Sequence, residues 1–217
     1  NIIGFSYGFA GFKNKSTYLC SHMLGIETSY RSKKIGEQMK QKQKEAAKRK
    51  GYSEIHWTFD PLETRNAYLN LTKLKGVCFV YMENAYGEMT DGLNRGLPSD
   101  RFEIHWYINS NHIEETKNYG TPIIINATRT QHNLLEFGSI NVTDFSSPVY
   151  GLDVPLDFQQ LKSEDQSLAL DWRLKTRDVF QQLFAAGYAA VQLIPGKYSA
   201  RYIFVKKDTL NIGGLSQ

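Results

Sequence analysis

One stretch limits the fold more than any other. An apolar run, Tyr18–Ile26, gives way to a polar, basic loop, then to a helix-periodic segment ending near Lys50, then to Gly51 and a β-rich run, Ser53–Phe59. Ile35, Met39, Gln43, Ala46 and Ala47 form a narrow apolar stripe along the helical part. Gly51 suits the left-handed position that closes a helix. A strand–helix–strand order excludes an all-helical bundle and an all-β sandwich and predicts an α/β chain with a mixed sheet flanked by helices.

The flanking segments extend the pattern. Ile2–Ala10 is apolar and aromatic, and a turn at residues 11–16 joins it to Tyr18–Ile26 as a hairpin. After Phe59, Asp60-Pro61 opens a helix near Pro61 or Leu62 that runs to about Leu74, with Asp as cap and Glu63 in the first turn. Val77–Tyr81 and Arg101–Ile108 read as strands around a loop at Asp91–Asp100. A polar segment, Asn109–Gly120, separates residues 1–108 from a C-terminal extension, 109–217. There Pro122–Thr128 reads as one buried strand and Val149–Val154 as another. Phe158–Ala186 reads as a helix broken near Lys162–Asp165, with Ser163 able to cap the new start. Tyr188–Ile194 and Tyr198–Lys206 form a hairpin across Pro195-Gly196. This β-α-β-β extension has the look of a partial repeat of the first part.

Composition removes several classes. Of the 217 residues, 41% are hydrophobic and 22% charged, as in globular domains. Cys20 and Cys78 are the two cysteines, too few for a disulfide framework or a Cys-based zinc cluster. No run of 18 apolar residues occurs, so no membrane span is expected. The chain opens Asn-Ile-Ile-Gly-Phe, without an initiator Met or a charged leader, and is read as a cytoplasmic polypeptide whose natural N-terminus is not included. The Asn-x-Ser/Thr triplets at Asn14, Asn70, Asn126 and Asn141 are then chance matches.

The chemistry concentrates at residues 24–36, LGIETSYRSKKIG. A helix start has free backbone N–H groups and the positive end of the dipole, which favours anions. Arg31, Lys33 and Lys34 add charge there, and Gly36 lets a phosphate approach without a Cβ in the way. The stretch reads as a phosphate cradle for a nucleotide-like cofactor.

This arrangement resembles the acyl-CoA-binding motif of the GCN5-related N-acetyltransferase (GNAT) superfamily: a strand, Arg/Gln-x-x-Gly-x-Gly/Ala, and a long helix. Here the six positions are Arg31, Ser32, Lys33, Lys34, Ile35 and Gly36, with Lys34 where the pattern has its first glycine. SHMLGI, WTFDPLETRNAYLNLTKL, YGEM, LNRGLPSDR and LALDWRLKTRDVFQQLFAAGY extend the likeness over nearly the whole chain, to a bacterial subgroup of predicted acetyltransferases with unassigned substrates. The resemblance implies a first strand and two helices ahead of Asn1, and acetyl-CoA as co-substrate. Leu24, Gly25 and Ile26 would bond the pantetheine arm, Arg31 to Gly36 the pyrophosphate, and Asn66 or Asn70 the cofactor arm. The family's tyrosine acid position carries Leu71, with Tyr68 one turn away.

An N-acyltransferase must remove a proton from its amine, and a histidine titrates in the right range. Strand alternation puts His22, Leu24 and Ile26 on one face, with Cys20 beside them. The resemblance gives His22 a proton-accepting role. Glu27 and Glu88 are alternative bases. Arg95 and Arg101 are candidates for an anionic acceptor, and Tyr86–Met89 for the pocket wall.

The competing reading is a non-catalytic acyl-CoA-binding or scaffold domain, favoured by Lys34 and Leu71. Residues 31–50 carry nine Lys/Arg and two Glu, a stripe that could bind nucleic acid, but no stacking aromatics are interleaved with it. His56, His105, His112 and His132 lack ligand spacing along the chain, so no metal is expected. The expected partners are acyl-CoA and a small-molecule amine, without membrane. The C-terminal part is expected to close the acceptor pocket or to form a homodimer contact.

Overall fold

The computed structural model describes residues 1–13, 15–31, 33–87, 96–113, 118–131, 134–142 and 144–213. Ser32, Glu88, Arg95 and His132, singled out above, lie outside them.

Strands β1 (Gly4–Lys13) and β2 (Ser16–Ile26) form the expected hairpin. Helix α1 (Ile35–Arg49) leads to β3 (Glu54–Phe59), with Gly51 at φ +82° closing the helix. The next helix differs from expectation. Asp60 accepts from the Leu62 amide at 2.9 Å, but this bond closes a turn and does not cap the helix: α2 starts at Thr64, with Glu63 at its N-cap, and ends at Ala67. It continues as a π-helical segment, Tyr68–Lys73. The wider turn lets the Leu74 amide donate to Leu69 and Gly76 to Asn70, closing the helix against β4 (Val77–Met82). β5 (Arg101–Tyr107) follows.

In the C-terminal part the single strand predicted at Pro122–Thr128 is two: β6 (Ile123–Ile124) and β7 (Asn126–Gln131). Between them the buried Ile125 donates its N–H to Gly151. β7 pairs with β8 (Leu134–Ile140), a strand the sequence reading did not separate. β9 (Val149–Pro155), α3 (Phe158–Glu164), α4 (Gln166–Ala185), β10 (Tyr188–Pro195) and β11 (Ser199–Lys206) complete the chain. The helical break is where it was expected, but Asp165 rather than Ser163 caps α4, accepting from Leu168. Ser163 instead donates back to the Gln160 carbonyl, the usual competing option for a helical serine.

Nine strands make one mixed sheet in the order β1-β2-β3-β5-β4-β10-β11-β9-β6. Two topologically equivalent units meet in it. In the first, β5 inserts between β3 and β4, antiparallel to both. In the second, β11 inserts between β9 and β10, antiparallel to both. The units join through β4 and β10 at Cys78 and Ala190. The strand alternation Tyr188-Ala189-Ala190-Val191 feeds two buried clusters, one on each face. The larger includes residues of α1, α2 and α4; the smaller is closed by Tyr107, Leu210 and Ile212. No described helix is long and apolar enough to cross a membrane.

Charges also cross between the units. Arg173 of α4 is 2% exposed and binds Asp60 in bidentate fashion, at 2.8 and 2.5 Å. The fully buried Asp100 accepts from Arg177 at 2.9 and 3.0 Å and from the Tyr81 hydroxyl at 2.6 Å. A paired buried carboxylate becomes costly once its partner is removed. Arg173→Met is therefore expected to lower unfolding free energy by about 3 kcal/mol, read from urea denaturation; an unchanged midpoint would show that Asp60 does not need its guanidinium.

Candidate functional site

β2 and β3 are parallel, but they pair only at Leu19–Ile55 and Cys20–His56. Past that point the strands part. β2 remains bonded to β1 as far as Ile26. Alternate backbone groups of a strand point to opposite sides. From Ser21 to Gly25 the β3 side of β2 thus faces no partner strand among the described residues.

Lys40, from the middle of α1, reaches the closed end of the fork. Its Nζ donates to Ser21 Oγ at 2.8 Å on β2 and lies 3.5 Å from the ring centroid of Trp57 on β3. Gln43 Oε1 accepts at 3.3 Å. Only 5% of the residue is exposed, and burial pulls its amine down to about 7, partly opposed by the nearby Cys20. Along the chain Lys40 is one charge of the basic stripe; its position opposite Ser21 and Trp57 is a tertiary fact.

The loop beyond β2 leads to the start of α1. Arg31 folds back, its Nε donating to the Ile26 carbonyl at 3.2 Å. Lys33 Nζ lies over the Tyr30 ring at 4.9 Å. Lys34 has φ +60° and occupies the helix N-cap without a side-chain cap bond. That left-handed conformation costs a lysine about 1 kcal/mol and a glycine almost nothing. The residue therefore sits where a glycine is conformationally natural. Ile35 and Gly36 open the helix, and a Cβ added at Gly36 would meet only Ile26 Cδ1, at 3.4 Å. An open groove of about 810 Å³ borders the helix, lined by Lys34, Lys42 and Lys73 among others.

The sheet face opposite α1 holds the second half of the site. A register shift in the hairpin pairs Tyr7 with Met23 but Phe9 with Cys20, leaving an extra residue on β2. This bulge overturns the expected alternation. Ser21 turns to Lys40 under α1, whereas His22 turns to Tyr7 and Phe9, with ring centroids 6.2 and 5.6 Å away. Ile26 is back on the α1 side against Gly36, so it does not share a face with His22. With Tyr18, Cys20, His56, Tyr86, Arg101 and Glu103, His22 instead lines a cavity of about 300 Å³ that also reaches Ser21 and Trp57 through the fork. Glu27 does not line it. Glu27 sits past the end of β2, its N–H bonded to the Ile3 carbonyl. Asn66 is exposed and Asn70 buried, and Leu71 is wholly within the core. A helix widened to π geometry does not keep residues four apart on one face.

His56 and His105 are the residues that reading along the chain missed. They are directly opposite on antiparallel β3 and β5, 49 positions apart in sequence, a pairing that no local spacing shows. Burial lowers His105 to about 3. Burial also works against a charge on His56, but the carboxylates of Glu103 and Glu54 beside it prevail and raise it. Glu103 is held at about 2, first by His56. Comparison with protein-family models, curated proteins and solved structures finds no match.

Lys40 gives a pH signature. The folded chain releases its proton near 7, whereas the unfolded chain holds it to an ordinary 10.5. The buried-charge cost is thus full below pH 7 and fades towards 10.5, so Lys40 makes stability rise with pH across that window. Subtracting Lys40→Met unfolding free energies from wild type at pH 7 and pH 9.5 should isolate this rise; a flat difference would show an ordinary lysine.

Proposed function

We propose that the chain is an acyl-CoA-dependent N-acyltransferase using acetyl-CoA and a small-molecule amine. The observation that carries this reading is the continuity of the fork with the basic helix start. An open backbone edge along Ser21–Gly25 suits a narrow chain bearing amides, such as pantetheine. It leads to Arg31, Lys33, Lys34 and the free amides of α1, which suit the pyrophosphate. The groove beside Lys34, Lys42 and Lys73 gives the nucleotide end room.

Transfer then needs three things of this chain. The amine attacks the thioester carbonyl; the C–N bond forms, the C–S bond breaks, and CoA leaves as a thiolate. A backbone N–H of the Leu24–Ile26 strand carries the developing oxyanion. Lys40 Nζ at the fork is a second donor for it. The proton from the attacking nitrogen passes to His22, directly or through one water, on the cavity side of the sheet. Glu27 remains a base only if the amine reaches the end of β2.

A CoA-binding scaffold without transfer is the second reading. It is favoured by Leu71, buried in the core where the resemblance asks for a tyrosine acid. Calorimetric titration of acetyl-CoA and desulfo-CoA tests both readings. Micromolar binding weakened about tenfold, or 1.4 kcal/mol, in Arg31→Ala is the expected result. Absence of binding overturns the cofactor site. Binding with no acyl transfer to a broad amine panel leaves the scaffold. Transfer that falls at least tenfold in His22→Ala at unchanged acetyl-CoA affinity supports the base.

A further inference from the structure

Four side chains converge on the cavity face of β3 and β5 in a way that a hydrogen-bond network alone does not satisfy. Glu54, His56 and His105 each offer a ligand atom within 4.8 Å of one another. Glu103 Oε1 lies 3.4 Å from His56 Nδ1 and 3.8 Å from His105 Nε2. Both histidines are only 5% exposed. Both of those nitrogens lack a hydrogen-bond partner among the described residues.

The tautomer of His56 is set from its other side. Glu54 Oε2 is 2.8 Å from Nε2, and an ionised carboxylate can only accept, so the proton belongs on Nε2. In neutral His56 the Nδ1 lone pair then faces the Glu103 carboxylate. A proton on Nδ1 would relieve that contact but leave His105 Nε2 as it is. A cation held on Glu103 Oε1 would give the lone pairs of both nitrogens a partner. In a tetrahedral zinc site, ligand bonds of about 2.0–2.2 Å place ligand atoms about 3.4 Å apart. The Glu103 distances of 3.4 and 3.8 Å are close to that edge length. Glu54 behind His56 is the carboxylate–histidine support that metal-binding imidazoles commonly have.

We propose that His56, His105 and Glu103 bind one divalent transition metal of the zinc type, with Glu54 as the positioning residue of His56. The two imidazoles select against magnesium and calcium, which prefer oxygen ligands. Three protein ligands leave a fourth position, and His56 and Glu103 also line the 300 Å³ cavity, so that position has room for water or a small ligand. This inference is independent of acyl transfer, because it concerns a cation and needs no CoA.

Metal-stripped full-length protein titrated with Co(II) tests it. The expected result is one ion per chain with visible absorbance of a four-coordinate site, displaced by Zn(II). His56→Gln, His105→Gln and Glu103→Gln should each weaken binding at least 100-fold, and Glu54→Gln about tenfold. Asp178→Asn, which removes an exposed carboxylate of α4, should leave the affinity unchanged. Nitrogen-15 imidazole spectra of the wild-type protein give a readout that needs no variant: Zn(II) should move the His56 and His105 resonances together. No stoichiometric uptake, uptake unchanged in the His56, His105 and Glu103 variants, or unmoved His56 and His105 resonances overturns the proposal.

Discussion

A guanidinium taken out of water must have a carboxylate, and Arg173 has Asp60. Much of the architecture follows from that requirement. Asp60 directly follows β3 and belongs to the first unit; Arg173 belongs to α4 of the second. Their bidentate contact fixes α4 over the sheet, where Phe180 packs on Phe102 of β5 and Tyr202 of β11. Asp100 and Arg177 repeat the device at the start of β5, with Tyr81 of β4 as a third member. The sheet is continuous because the side chains above it are shared as well as its backbone.

The division of labour between faces is the other organising fact. Under α1 lie Ser21, Trp57 and Lys40; on the far side lie His22, His56, His105 and Glu103. The fork between β2 and β3 is where these two environments approach one another. Lys40 keeps a polar atom at the fork at the cost of a buried amine, which neighbouring Trp57 and Ser21 only partly offset. The far side holds its charges by mutual pairing, with Glu54 and Glu103 bracketing His56.

The sequence made the local features plain. The hairpin, α1, the break before α4 and the closing β10–β11 hairpin were legible because each has its own period, cap or turn. The basic loop was legible because its charges are contiguous. What was hidden depends on partners distant in sequence. His56 and His105 meet only across a sheet, so scanning for ligand spacing passed over them. Lys40 was one cation among nine until tertiary packing put it beneath Ser21. The bulge at residues 21–22 has no compositional mark, and it moved His22 away from Ile26. The π segment, in which Asn70 and Leu71 are buried, likewise has no mark in the sequence. Asp60 looked like a helix cap, but it holds the Leu62 amide in a turn ahead of α2, whose N-cap is Glu63, and both its oxygens accept from Arg173.

The junction of the two units carries a consequence for how the chain folds. Most strand pairs here join neighbours in sequence: β1 with β2, β7 with β8, β10 with β11. The contacts that unite the units are remote. Asp60 and Arg173 are 113 residues apart, and the strand contact beneath them joins Cys78 to Ala190. Closing loops of that size costs entropy before any contact rewards it. Local hairpins and helices are therefore formed early, and edge-to-edge assembly of the sheet comes late. Until that step β4 and β10 are both bare edges, and the interval before docking is when the chain is most exposed to pairing with another copy of itself.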